Sequence, residues 1–345
     1  MKTVVLSAPN IISIVDKEKP ALSAKNEVLV KIKYVGICGS DLHFFRTGRI
    51  GSSLIKAPFI LGHEASGIIE QVGSAVSTLK QGDYVTIDPA FSCNKCDQCH
   101  AGRKHTCRNM KFHGNPGEKD GLLQEFVVLP EECCFKIMKT LSLQSAALLE
   151  PLAVALYSTF FIGTDIKKAA ILGCGPIGLL VLLSLRQQFF NADIYVTDKI
   201  NDRLSVAGDQ GALWAGNPLE FDIVRQIEEM VPQGLDVVFE CCGQQDAINQ
   251  AIKLLKPGGS LIIVGIPETK EIAFDIHKIR RKEIAIFNVR RQNETYPKTI
   301  ESVHSGQIDL SGLVSHVFHY SESQRAFDIA NNYEDSVIKA LIKFD

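Results

Sequence analysis

The stretch "KAAILGCGPIGLLVLLSLRQQFFNADIYVTD", residues 168–198, decides the fold. KAAILG is an apolar run that reads as a strand. A glycine turn, Gly173-x-Gly175-x-x-Gly178, follows it and opens the helical run PIGLLVLLSLRQQF. A second strand, ADIYVTD, ends on Asp198, twenty residues past Gly178. A lone glycine triplet is a weak signal. Strand, turn, helix and an acid closing the next strand together form a dinucleotide-binding fingerprint. Gly173 permits the tight turn, Gly175 lets the main chain approach a pyrophosphate, and Gly178 lets helix and strand pack closely. The helix N-terminus adds N–H donors and the positive end of its dipole. Asp198 suits a ribose 2′-hydroxyl and repels a 2′-phosphate, so NAD is favoured over NADP; Lys199 and Arg203 soften that preference.

Outward from this stretch the rhythm continues. INDRLSVAGDQG reads as a helix, DVVFECCG as a strand, DAINQAIKLLKPGG as a helix stopped by Pro-Gly-Gly, and SLIIVGI as another strand. Near-continuous apolar strands alternating with helices imply a doubly wound parallel sheet covered on both faces. Upstream, SLQSAALLEPLAVALYSTFFIG has helical spacing with an expected interruption at Pro151. Residues 1–150 read as mainly β, as in the alternating run EVLVKIKYVGIC. The tail ends in a strand-like run, VIKALIKFD, placed to fold back onto the first half.

The totals fit two domains: 345 residues, 46% hydrophobic and 22% charged. A net charge of −2 gives no global pull toward nucleic acid or membrane, and neither partner is expected. The N-terminal apolar run is too short for a signal peptide, so a cytoplasmic location is expected, where ten cysteines argue for metal binding over disulfides.

Cys93, Cys96, Cys99 and Cys107 stand as C-x2-C-x2-C-x7-C, a spacing that makes a closed tetrahedral zinc site of structural type. An iron–sulfur cluster and a nucleic-acid-binding zinc ribbon are the rival readings. The ferredoxin run has a shorter third gap and a following proline, where this chain has Arg108, and no wider basic face supports a ribbon. Cys38, His63 and Glu64 offer a thiolate, an imidazole and a carboxylate, all suited to zinc, and Glu150 is a further acid in an apolar surround. Spacing alone does not bring residues 38, 63 and 150 together.

The segment Gly62-His63-Glu64-x2-Gly67-x5-Gly73-x2-Val76 resembles the zinc signature of the medium-chain alcohol dehydrogenases. GICGSDLH (36–43), GDYVTIDP (82–89), the four-cysteine lobe and the Gly173 turn follow in that family's order, so the resemblance covers essentially the whole chain. EPLAVALY (150–157) and VRRQN (289–293) look most like the polyol branch: sorbitol, L-iditol and xylitol dehydrogenases, with threonine dehydrogenase as a cousin.

The resemblance implies an α/β Rossmann domain, expected over 155–290, and a mainly β, GroES-like catalytic domain over 1–154 and 291–345 that carries the structural zinc lobe. It implies two zinc ions per chain: one on Cys38, His63 and Glu64, with Glu150 as ligand or as partner of the bound water, and one on the four cysteines. Ser40 and His43 match proton-relay positions. Ile177, Asp198, Arg203, the turn Val264-Gly265-Ile266 and Arg290 match cofactor-contact positions. The implied reaction is hydride transfer between the secondary hydroxyl of a sugar alcohol and NAD, giving a ketose, by a homodimer or homotetramer. Phe44 and Arg291 depart from the branch, which has tyrosines there, and a phosphorylated or carboxylated polyol is an alternative substrate, as is L-threonine. A quinone-reductase-like enzyme without catalytic zinc is a less favoured reading, because it leaves the Cys38, His63 and Glu64 set without a purpose. A non-enzymatic role is the third.

Overall fold

Strands apolar on both faces need helices above and below, and the chain supplies them around a six-stranded parallel sheet. The computed structural model describes residues 1–345 and divides into two units, residues 1–150 with 296–345, and residues 151–295. The boundaries expected at 154/155 and 290/291 therefore shift by a few residues. Local packing explains the second: the Thr295 hydroxyl donates to the Ala153 carbonyl (2.9 Å), whereas the next residue, Tyr296, is buried, donates to Ile87 O (2.8 Å) and stacks on Phe135.

In the 151–295 unit the strands run in the order Trp214–Gly216, Asp193–Thr197, Lys168–Leu172, Leu235–Glu240, Leu255–Ile263, Ala285–Asn288, each parallel to its neighbour. The order reverses between Lys168–Leu172 and Leu235–Glu240, the switch point of a dinucleotide-binding sheet. The helix Pro176–Gln188 starts with proline at its first position, where the missing N–H is no loss, and buries Leu179 through Leu185.

Two helix readings are corrected. The helix Gln245–Leu254 ends before Lys256-Pro257-Gly258-Gly259, and these residues belong to the strand Leu255–Ile263. Leu255 is buried and pairs with Leu235, and the register then slips so that Val237 meets Ser260; the proline and glycines occupy that irregularity. Pro151 does not interrupt its helix. The break falls at Leu148, between Leu143–Ala147 and Leu149–Ser158, and Pro151 lies in the first turn of the second helix, where N–H groups have no intrahelical partner.

In the other unit Glu27–Gly36 is the central strand. Glu64–Val72 pairs along one edge; Phe126–Pro130 and the C-terminal strand Lys339–Lys343 share the other. The tail thus does return to the first half, with Leu341 opposite Gly36 and Ile342 opposite Val35. The hairpin of Lys2–Ala8 and Ile11–Asp16 is tied in by Val4 N–H to Leu123 O (2.9 Å) and Leu6 N–H to Phe59 O (2.8 Å). Beneath lies one apolar core that includes Val28, Val30, Ile32, Phe45, Phe327 and Ile342. No helix is long and apolar enough to cross a membrane.

Candidate active site

The register of two strands brings together the first set of candidate metal ligands. Gly36, at the end of Glu27–Gly36, pairs with Glu64, the first residue of Glu64–Val72. Cys38 lies two residues past Gly36, and His63 precedes Glu64. The Cys38 sulfur, a His63 nitrogen and a Glu64 oxygen all fall within 4.8 Å of one another. Two ligands of one zinc stand roughly 3–4 Å apart, so the three fit a single ion and leave a fourth position open. A Cβ on Gly36 would overlap the Glu64 carboxylate, so any larger residue there would push on this group.

Two residues that the sequence reading missed hold this centre. Asp41, third residue of the helix Gly39–Thr47, accepts from Cys38 N–H (3.0 Å) and Gly62 N–H (3.0 Å), and its Oδ1 lies 3.6 Å from His63 Nδ1. Burial would raise its pKa, but His63 and those N–H groups outweigh burial and hold it below the usual carboxylate range. Burial likewise opposes a charged His63, and the charges of Asp41 and Cys38 overcome it and raise the imidazole well above its ordinary value. Lys339, from the C-terminal strand, is fully buried; its ammonium pairs with Glu64 Oε2 and donates to Ile37 O (2.9 Å). The C-x-x-D spacing of a capping box marks Asp41 in the sequence. Nothing local marks Lys339.

A carboxylate behind a ligating histidine fixes its orientation and basicity. Asp41→Asn is expected to weaken zinc binding at this centre by about 10–100-fold. Competition with a chromogenic chelator checks this, and wild-type affinity in the variant would contradict it.

Glu150 lies outside the three-ligand group. It is buried, and its carboxyl feels His63, Glu64, Asp88 and Lys339. Burial, with the charges of Glu64 and Asp88, pushes it up to about 8 against the pull of His63 and Lys339. Ser40 and His43 stand three apart, one turn of the helix Gly39–Thr47, and both are half-buried. Phe112 sets its ring 5.4 Å from the His63 ring. Phe44 is buried in the apolar core, and Arg291 is half-buried with a left-handed backbone, φ 56°.

The four-cysteine lobe gathers as its spacing implies. Sulfur–sulfur distances are 3.5 Å for Cys96–Cys99, 3.9 Å for Cys96–Cys107 and 3.5 Å for Cys93–Cys107. A tetrahedron of zinc–sulfur bonds has edges of roughly 3.8 Å, so the thiols fit a closed zinc site. N–H groups of Arg108 and Cys99 bring the Cys96 thiol down to about 6, while burial pushes Cys107 up to about 11.

In the 151–295 unit the glycine turn has the expected form. Gly173 has φ 99°, and a Cβ on Gly178 would overlap the Gly173 carbonyl. A Cβ on Gly175 would meet nothing nearer than Arg203 Nη1 at 3.4 Å, so the main chain there is open to approach. Asp198 is aimed by Cys174 N–H (2.7 Å) and Ile200 N–H (2.9 Å). Ile177 is half-buried in the first helical turn, Arg203 is buried, Ile266 and Arg290 are exposed, and the Val264 and Gly265 N–H groups both donate to Glu240 O.

Comparison with known proteins agrees with this geometry. Residues 24–139 match the alcohol dehydrogenase GroES-like domain, and residues 176–305 match the zinc-binding dehydrogenase family. The chain is 35% identical to a sorbitol dehydrogenase of Bacillus subtilis, over 92% of this chain and 90% of that one. It is 36% identical to an L-idonate 5-dehydrogenase of Vitis vinifera, over 90% and 84%. An Escherichia coli oxidoreductase of unknown specificity superposes with a TM-score of 0.92 at 32% identity, over 100% and 99% of the two chains. The chain belongs to the zinc-containing medium-chain alcohol dehydrogenase family, in its polyol dehydrogenase branch.

Proposed function

We propose that the chain oxidises a secondary hydroxyl of a sugar alcohol to the ketose, using NAD and a zinc ion held by Cys38, His63 and Glu64. The convergence of those three side chains within 4.8 Å carries the reading, in a chain 35% identical to a sorbitol dehydrogenase. When bound, zinc supplies a Lewis acid that makes a hydroxyl more acidic, and NAD supplies the hydride acceptor.

The chain's own groups do the rest. Asp41 orients the His63 imidazole, and Lys339 holds Glu64. Ser40 and His43, one helical turn apart, carry the hydroxyl proton outward. Glu150, buried and within electrostatic reach of His63 and Glu64, is a hydrogen-bonding partner for a second hydroxyl, which favours a polyol over a simple alcohol. Asp198 binds the ribose 2′-hydroxyl, and Arg203, Ile177, Arg290 and the Val264–Ile266 turn complete the cofactor contacts. The four cysteines hold a second zinc that stabilises their loop. The polyol branch also implies a homodimer or homotetramer.

A panel of sorbitol, xylitol and L-iditol, with phosphorylated and carboxylated polyols and L-threonine, each with NAD and with NADP, tests the reading. Reduction of NAD by a free polyol, faster than reduction of NADP, is expected, with two zinc ions per chain by elemental analysis. Turnover of L-threonine alone, or NADP used in preference, would replace the corresponding part. A protein active with one zinc or none would point to a reductase without catalytic zinc.

A further inference from the structure

We infer that Glu240 is a positioning residue for dinucleotide binding: it braces the 242–244 loop against which both expected cofactor turns rest. This rests on the cofactor reading above and adds to it a residue that makes no cofactor contact of its own. Glu240 is the last residue of Leu235–Glu240, beside Lys168–Leu172, where the strand order reverses. In open α/β sheets ligands bind beyond the carboxyl ends of the strands at that point.

Glu240 is fully buried. Its Oε1 accepts from the N–H groups of Cys242 (2.8 Å), Gly243 (2.6 Å) and Gln244 (3.4 Å) and from the Cys242 thiol (3.1 Å). Successive main-chain N–H groups converging on one oxygen make an anion nest, here filled by the chain's own carboxylate. The helix Gln245–Leu254 begins just beyond, so its dipole also favours negative charge there. The Glu240 carbonyl accepts from Val264 N–H (2.8 Å) and Gly265 N–H (2.9 Å). Main chain and side chain of one residue therefore tie the 242–244 loop to the 264–266 turn. Its Oε2 is buried without a hydrogen-bond partner, a cost that a purely packing role leaves unexplained.

The loop has no slack against either turn. A Cβ on Gly173 would lie 2.9 Å from the Cys242 Cβ and 3.1 Å from its nitrogen. A Cβ on Gly265 would lie 2.8 Å from Glu240 Oε2 and 2.9 Å from Cys242 N, and one on Gly243 would overlap the Ile266 carbonyl. Displacing 242–244 thus displaces the fingerprint turn and the 264–266 turn together. A cradle left to find its shape on binding loses affinity, because the ordering cost then falls on the ligand.

The test uses two variants of the full-length zinc-loaded protein. Glu240→Asp keeps the charge and withdraws the oxygen by one methylene; Glu240→Gln keeps an acceptor at full reach without the charge. By calorimetry, Glu240→Asp is expected to weaken NAD binding by about tenfold or more, and Glu240→Gln by no more than about threefold. In Glu240→Asp the KM for NAD should rise while kcat at saturating NAD and the zinc content stay at wild-type values. In the cofactor-free protein, the amides of residues 242–244 and 264–265 should exchange faster in Glu240→Asp than in wild type. Wild-type NAD affinity or unchanged exchange in Glu240→Asp overturns the inference, as does a Glu240→Gln variant as weak as Glu240→Asp. A wild-type protein that binds no dinucleotide overturns the cofactor reading itself, and this inference with it.

Discussion

Replacing Cys38 by serine is expected to abolish turnover and to halve the zinc content. The thiolate is the one soft ligand among Cys38, His63 and Glu64, and a serine hydroxyl stays protonated near neutrality and binds zinc poorly. The Lewis-acid contribution amounts to several kcal/mol, so its loss lowers the rate on the order of a thousandfold or more. The four-cysteine lobe shares no residue with this centre and should keep its ion. Elemental analysis should therefore show one zinc in the variant against the two proposed for wild type. Undiminished turnover in this variant would remove the metal from the reaction and sink the proposed function.

The second large effect is on stability. Lys339 and Glu64 form an ion pair with side-chain exposures of 1% and 2%. Removing one partner of a buried pair leaves the other charge uncompensated and costs about 3–5 kcal/mol. Lys339→Met keeps an unbranched side chain as far as the ε position and removes the ammonium. In chelator-treated protein this variant should lose about 3–5 kcal/mol by urea unfolding, read as a lower midpoint with an unchanged slope. With zinc restored the loss should shrink, because the ion supplies the positive charge that Glu64 then lacks. Adding Glu64→Gln to Lys339→Met should recover most of the loss in the metal-free state, since no buried charge then remains unpaired. A loss below about 1 kcal/mol in the single variant would show that water reaches the pair.

The pH dependence of that contribution follows from its sign. Burial lowers the Lys339 pKa, and the charges of Glu64 and Cys38 more than offset it, so the folded value lies above the ordinary one. The ammonium's contribution is therefore fully present below the unfolded value of about 10.4 and is lost only as pH rises through the folded value. Between pH 6 and pH 9 the difference between wild type and Lys339→Met should not vary through this group.

Much of the molecule is written locally. The turn at Gly173 needs three glycines at fixed offsets because the main chain crowds itself there, as the overlap between a Gly178 Cβ and the Gly173 carbonyl makes plain. Four cysteines within fifteen residues can reach one ion whatever the rest of the chain does. Apolar runs long enough for one strand each, separated by helices, admit few arrangements other than a covered parallel sheet. The Pro-Gly-Gly segment misled for an equally local reason: those residues usually end a helix, and here the buried pairing of Leu255 with Leu235 draws them into a strand with an irregular register.

The first metal centre is of another kind. From the residues alone, Cys38 and His63 are candidates without a meeting point, and only the likeness to a known family joins them. What brings them together is the pairing of Gly36 with Glu64 across two strands, and what balances the charge of Glu64 is Lys339, far along the chain, delivered by the return of the last strand to the first sheet. The sequence by itself determined the elements, the dinucleotide turn and the lobe, because short-range sterics and ligand spacing leave them little choice. Only the tertiary structure decided which distant charges share one buried pocket, because strand register and burial depend on contacts that no local window contains.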